Sequence, residues 1–196
     1  MSIINVYNGR KIFMEQRARN NKVLIMILTA LMIALTFVAG SVIKIPTLNG
    51  FMQPGDCMIL LGAVLLGKKR GALSAAIGMG LIDATSGYLI WAPFSFVIQG
   101  AMGFVAGYLF DRFKVKNYKA YLISFIVAGF VSLGGYFIAN AIMGGIIMGE
   151  VHGFLPSVLY AVAHVPGDSS EIIFGIIIAL ILAPIVNKAR VKFNLK

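Results

Sequence analysis

Residues 23–43 run without a charge between Lys22 and Lys44, and nearly every one is apolar. As a helix rising 1.5 Å per residue, such a run spans roughly the 30 Å of a bilayer's hydrocarbon core. The rest of the chain has no polar shell in which to bury it. Of 196 residues, 59% are hydrophobic and only 12% charged, whereas a soluble domain carries about 25% charge. Mean hydropathy is +0.90. The expected fold class is therefore an all-α integral membrane protein. The polar, basic first 22 residues and the long run behind them, without a small-residue cleavage motif, read as a retained first span rather than a signal peptide.

Further apolar stretches follow at 57–67, 72–90, 94–110, 120–148 and 169–187, giving six helices. They are separated by a Pro/Gly-rich break at 44–55, a basic turn at Lys68-Lys69-Arg70, an aromatic connection from Tyr88 to Pro93, a basic loop at 111–119 and a break at Pro166-Gly167. The stretch 154–164 reads equally as an outer helix or a loop. The organisation is a basic lead at 1–22, one membrane domain at 23–187 and a basic tail at 188–196.

The net charge of +10 does not indicate nucleic acid, because it is distributed as membrane topology is. If the lead, the 68–70 turn, the 111–119 loop and the tail share one side, 16 of the 17 basic residues lie there, Lys44 being the exception. The positive-inside rule then sets both termini in the cytoplasm. Asp56, Asp83, Glu150, Asp168 and Glu171 fall toward the other side. The single cysteine, Cys57, excludes an internal disulfide and is expected to be a small packing residue.

No catalytic constellation, metal-ligand cluster or cofactor motif is present; His152 and His164 lack helical partners. Ionisable residues at membrane depth are the better lead, since each is costly in lipid unless paired or turned toward a cavity. Asp168 and Glu171 are three residues apart and share a face of the last helix. Asp168 reads equally as an N-cap and as a ligand-binding group, whereas Glu171, a turn deeper, reads as cavity-facing. Asp83 is either an interhelical bond or a cavity group, and Asp56 reads as a helix cap. Gln99 and Asn140 read either as interhelical bonds or as ligand contacts, the latter favoured because both fall toward the outer half. Tyr88, Trp91 and Tyr160 fit interfacial anchors, Trp91 also a stacking partner. Ala30 and Ala34 are a small-xxx-small pair whose spacing alone implies no more than packing.

Over residues 23–187 the chain resembles the substrate-binding S components of energy-coupling factor (ECF) vitamin transporters. The resemblance rests on Ala30-Leu-Met-Ile-Ala34, Gly55-Asp56, Leu65-Leu66-Gly67-Lys68-Lys69-Arg70-Gly71-Ala72, Ala92-Pro93-Phe94-Ser95-Phe96-Val97-Ile98-Gln99-Gly100 and Val165-Pro166-Gly167-Asp168-Ser169-Ser170-Glu171. It implies a multi-pass subunit of the cell membrane, without ATPase activity. Such a subunit binds a vitamin near the outer face and docks on a transmembrane coupling protein and two ATP-binding subunits. It further implies that Ala30 and Ala34 form the docking surface and that the 44–55 break, with Asn49, Phe51 and Gln53, is a lid. The ends of helices four to six would line the site.

Similar proteins often have Asn and Gln in place of Asp168 and Glu171, and Lys in place of Gln99. A more acidic pocket suits a cationic or donor-rich ligand. The expected substrate is a small heteroaromatic B-type vitamin or precursor, of pyridoxine or hydroxymethylpyrimidine type. Riboflavin is an alternative because related sequences carry that label; pantothenate, an anion, fits less well. A different class of function is a stand-alone transporter coupled to protons through Asp83 or Glu171, against which stand the small size and the lack of an inverted repeat.

Overall fold

Apolar residues without competing turn signals make long helices, and the computed structural model, which describes residues 2–47, 50–147, 151–193 and 195, is built almost wholly from them. Its elements are α1 (Ser2–Val42), a hairpin of β1 (Ile45–Thr47) and β2 (Gly50–Met52), α2 (Gly55–Thr85), α3 (Ala92–Arg112), α4 (Tyr118–Ile142) continued by a π-helical turn (Met143–Ile147), and α5 (Phe154–Lys192). Among the described residues, four helical segments are long and apolar enough to cross a membrane: Asn21–Val42, Ala92–Arg112, Tyr118–Gly145 and Phe154–Lys192. Many large apolar side chains face outward, among them Met26, Val42, Phe130 and Ile181. A soluble monomer does not tolerate such a surface; lipid does. The chain is an all-helical membrane protein apart from its short hairpin.

The lead and the first span are one helix. Along its span α1 turns Ile25, Thr29, Met32, Thr36 and Gly40 inward, at helical spacing. The two threonines return their hydroxyls to the carbonyls of Ile25 and Met32, so neither hydroxyl is left open. The opposite face, including Ala30 and Ala34, is exposed. The 44–55 break folds as an antiparallel hairpin pairing Ile45 with Met52, Pro46 with Phe51 and Thr47 with Gly50.

The basic turn lies differently from expectation. The chain reverses at Gly67, which has φ 74° and ψ −177°, while Lys68, Lys69 and Arg70 already belong to the returning helix. Only glycine takes this backbone conformation without penalty. Past the turn Gly71 packs so closely on Ala63 that an added Cβ would lie 2.7 Å from the Ala63 Cα. The two halves of α2 therefore run antiparallel. Together they form the hub of the fold, packed by α1, α3 and α5, while α4 packs on α3 and α5. The core contains Cys57, Leu60, Val64, Met79, Met102, Phe110 and Phe125. Cys57 is fully buried there, as a packing residue should be.

The break expected at Pro166-Gly167 is absent: α5 continues through Pro166 and Pro184. A proline forfeits one backbone hydrogen bond, but side chains can re-satisfy the freed groups of a helix buried in a membrane protein. Just past Pro166, Ser170 Oγ donates to the Gly167 carbonyl at 2.7 Å, a bond within the following turn. The stretch 154–164 is thus the first third of α5. Asp168 lies inside this helix and cannot be its N-cap. Nor does Asp56 cap α2, whose N-cap is Pro54 without any side-chain bond.

At the basic end, Arg190 near the end of α5 joins three elements. It pairs with Asp111 at 2.8 Å, donates to the Val64 carbonyl at 3.0 Å and donates to the Leu195 carbonyl at 3.2 Å. The Val64 carbonyl needs a donor because the reversal at Gly67 ends its helix. Lys116 donates to the Phe110 carbonyl beside it. Burial pushes the Lys116 ammonium below its usual range, Asp111 opposes that shift and Arg190 reinforces it. Removing Arg190 orphans a carboxylate and a carbonyl together. Arg190→Ala should therefore cost about 1.5–3 kcal/mol, and Arg190→Lys should restore only part, lacking the planar fork. Melting in detergent reads both; an unchanged midpoint for Arg190→Ala would show that the cluster does not hold this end.

Candidate substrate site

Most of the acidic and amide side chains of the spans gather at the end opposite this basic cluster. Asp56, on the first turn of α2, is 1% exposed. It comes to lie against α5 because position 175 is glycine: a Cβ there would sit 2.7 Å from the Asp56 Cβ and 3.1 Å from the Cys57 nitrogen. Gln99, about two turns into α3, donates from Nε2 to Asp56 Oδ1 at 3.0 Å and to Tyr136 Oη of α4 at 3.3 Å. Tyr136 donates to Ser95 Oγ at 3.1 Å, and Asp83, near the end of α2, lies beside Ser95. Ser95 and Gln99 share a face of α3 one turn apart, as Tyr136 and Asn140 do on α4.

A second set lies beside the first. Asn140 Nδ2 donates to Asp168 Oδ2 at 3.1 Å, and His164, one turn earlier on α5, adds its field to that carboxylate. Glu171 is hydrogen-bonded by Gln53, the residue that follows β2. The Gln53 amide is itself buried, against Gly40 of α1. The hairpin lies close by, with β2 against α5. Lys44 Nζ donates to Ser86 Oγ at 3.0 Å, tying the end of α1 to the end of α2.

Chemically this is a region of acceptors. Its carboxylates are Asp56, Asp83, Asp168 and Glu171, and the carbonyl oxygens of Gln53 and Gln99 are buried without a partner. Such a set is matched by a ligand that supplies N–H or O–H donors or a positive charge.

Six expected site residues are brought together: Gln99, Asn140, Asp83, Asp168, Glu171 and Gln53. Trp91 and Tyr88 occupy the connection into α3 instead, where the Trp91 N–H donates to the Tyr88 carbonyl at 2.8 Å and the Trp91 ring packs on Phe94 at 6.3 Å. Asn49 and Glu150 lie outside the described residues; of Phe51 the structure describes the backbone, paired in the hairpin. Asp56, Ser95 and Tyr136 went unrecognised. Helical spacing could have found the last two, since Ser95 is four residues before Gln99 and Tyr136 four before Asn140.

Between α3 and α4 there is also an apolar groove of about 400 Å³, lined by Pro93, Phe94, Val97, Ile98, Gly135 and Ile138 among others. It has the character of a lipid-facing crevice and offers no polar group to orient a vitamin.

Residues 20–188 match the family described as ECF-type riboflavin transporter, S component. The chain is 28% identical over 167 residues to the thiamine precursor transporter HmpT of Lactococcus lactis subsp. cremoris (strain MG1363), covering 84% of this chain and 88% of that protein. It is 37% identical over 94 residues to a Pyrococcus woesei protein known as an uncharacterized protein in a gap 3' region; that match covers 48% of this chain and 62% of the relative. With the family match running almost from the first span to the tail, this chain belongs to the S-component family of ECF-type riboflavin transporters.

Proposed function

We propose that this chain is the substrate-binding subunit of an ATP-driven ECF uptake transporter in the cell membrane. It crosses six times, with both termini cytoplasmic. The crossings are the apolar part of α1, the two antiparallel halves of α2, and α3, α4 and α5. The clustering of Arg190, Asp111 and Lys116 beside the Gly67 turn supports a common cytoplasmic end. Its partners are a transmembrane coupling protein and two ATP-binding subunits, which supply the hydrolysis. Its substrate is a small heteroaromatic B-type vitamin or precursor, of pyridoxine or hydroxymethylpyrimidine type, with riboflavin as the alternative.

One observation carries this reading: a buried acceptor network at the end of the helices away from the basic turns, with a hairpin against it. In lipid, polar groups buried at such cost mark a ligand path. The relative that transports a thiamine precursor adds weight to a small ring as cargo.

The test is a thermal-shift screen of the purified chain against B-type vitamins and their precursors, followed by calorimetry. A ligand at a hundredfold excess over its Kd stabilises by about 2.7 kcal/mol. One compound with a clear shift identifies the substrate; no shift from folded protein across the whole panel would overturn the binding reading. For a cationic or amino-bearing ligand, the double change Asp168→Asn with Glu171→Gln should weaken binding at least about tenfold, 1.4 kcal/mol. Unchanged affinity would remove the argument from charge.

The buried carboxylates also favour a second reading, a stand-alone carrier in which Asp83 or Glu171 exchanges protons. Uptake that needs the ATP-binding partners separates the two.

A further inference from the structure

The hydrogen bonds around Gln99 all point one way. Both hydrogens of its amide are used, on Asp56 Oδ1 and on Tyr136 Oη. Tyr136 Oη can accept because its own hydrogen passes to Ser95 Oγ. The chain therefore starts at Gln99 and runs to Asp56 on one branch and through Tyr136 to Ser95 on the other; a carboxylate at Asp56 only accepts. Turning the amide over would set Oε1 against Asp56 Oδ1, acceptor against acceptor. The orientation of Gln99 is fixed, and its Oε1 is left over. Gln99 is 2% exposed and Oε1 has no partner. A buried carbonyl without a donor is penalised, and a donor brought by substrate removes the penalty.

Resting on the substrate-binding reading above, we propose that Gln99 Oε1 reads one ring-borne hydrogen-bond donor of the substrate, so that this chain takes an amino-substituted heteroaromatic ring and rejects its oxo counterpart. Asp56 is the positioning residue that sets this preference. The amino group donates to Oε1; an oxo group in its place opposes one acceptor with another and leaves both unpaired. Asp168 and Glu171 act differently. Each has its own amide donor, Asn140 and Gln53, and their negative charge favours cations without fixing the direction of Gln99. With Asn at position 56, the carboxamide can accept or donate, so Gln99 is free to turn over.

The experiment measures calorimetric affinity for matched pairs, an aminopyrimidine and its oxo analogue and an aminopyridine and its oxo analogue, each bearing a hydroxymethyl group. Wild type should favour the amino member at least about tenfold. Asp56→Asn should bring the ratio close to unity, and Tyr136→Phe, which cuts only the second branch, should lower it less. Glu171→Gln removes the same charge as Asp56→Asn and should weaken binding while keeping most of the ratio. Melting curves confirm that each variant is folded, and Tyr136→Phe carries the test if Asp56→Asn is not. A wild-type preference for the oxo member, or no preference, overturns the proposal. So do equal losses of the ratio in Asp56→Asn and Glu171→Gln, which would mean that the field alone decides. Folded wild type that binds no member of either pair also rejects it. In that event binding of riboflavin or another vitamin would leave the proposed function standing, and binding of nothing would remove both.

Discussion

Leucine at position 175 is expected to abolish ligand binding and to destabilise the protein in the same stroke. The Cβ it introduces would meet the Asp56 Cβ at 2.7 Å, the Cys57 nitrogen at 3.1 Å and the Asp56 carbonyl carbon at 3.3 Å. Two of these are backbone atoms inside a helix and cannot swing aside, so α5 must move away from α2. Overpacking of this kind costs about 1–3 kcal/mol. The displacement also reaches the site, because Glu171 and Asp168 lie four and seven residues earlier on the same face of α5. Gly167→Ala is the control on the same helix: nothing lies within 4 Å of its Cβ position, and it should melt and bind like wild type. Tight binding retained by Gly175→Leu would mean that the contact between α5 and Asp56 does not build the site.

Tryptophan at Ala30 and Ala34 should have the opposite profile, with uptake reduced to background and ligand affinity intact. Both alanines are on the exposed face of α1, turned away from Met32 and Thr36, which pack inward. Bulk added there meets lipid or a partner subunit, never the core. Small residues allow a partner helix to approach closely, and large ones prevent it. Vitamin affinity in detergent and uptake by the assembled transporter are the paired readouts. If uptake persists, docking uses another face; if affinity falls as well, these residues support the fold instead.

Much of the architecture is legible in the chain because lipid imposes strong rules. The charge-free run at 23–43 becomes the span of α1, and residues 94–110 and 120–148 fall on α3 and on α4 with its π-helical turn. Two features escaped for definite reasons. Gly67 alone turns α2, although the basic residues beside it look like the turn; charge marks a side of the membrane without building the reversal. Pro166-Gly167 looks like a stop and is not one; the helix of α5 continues through it. This in turn hid Asp168 behind an N-cap reading. Asp56 escaped similarly: Pro54-Gly55-Asp56 has the form of a helix start, and only the packing of α3 shows that its carboxylate goes to Gln99. Sequence indicates which groups are expensive to bury, but which acceptor each donor finds depends on how helices distant in the chain are packed.

As proposed, this chain binds a small vitamin or precursor and depends on partners to move it. The most direct test is uptake of the bound compound into vesicles containing this chain, with and without the coupling protein and the two ATP-binding subunits. The account predicts ATP-dependent accumulation only when all are present, indifferent to the proton gradient. Accumulation by this chain alone, driven by a proton gradient and abolished by an uncoupler, would contradict it.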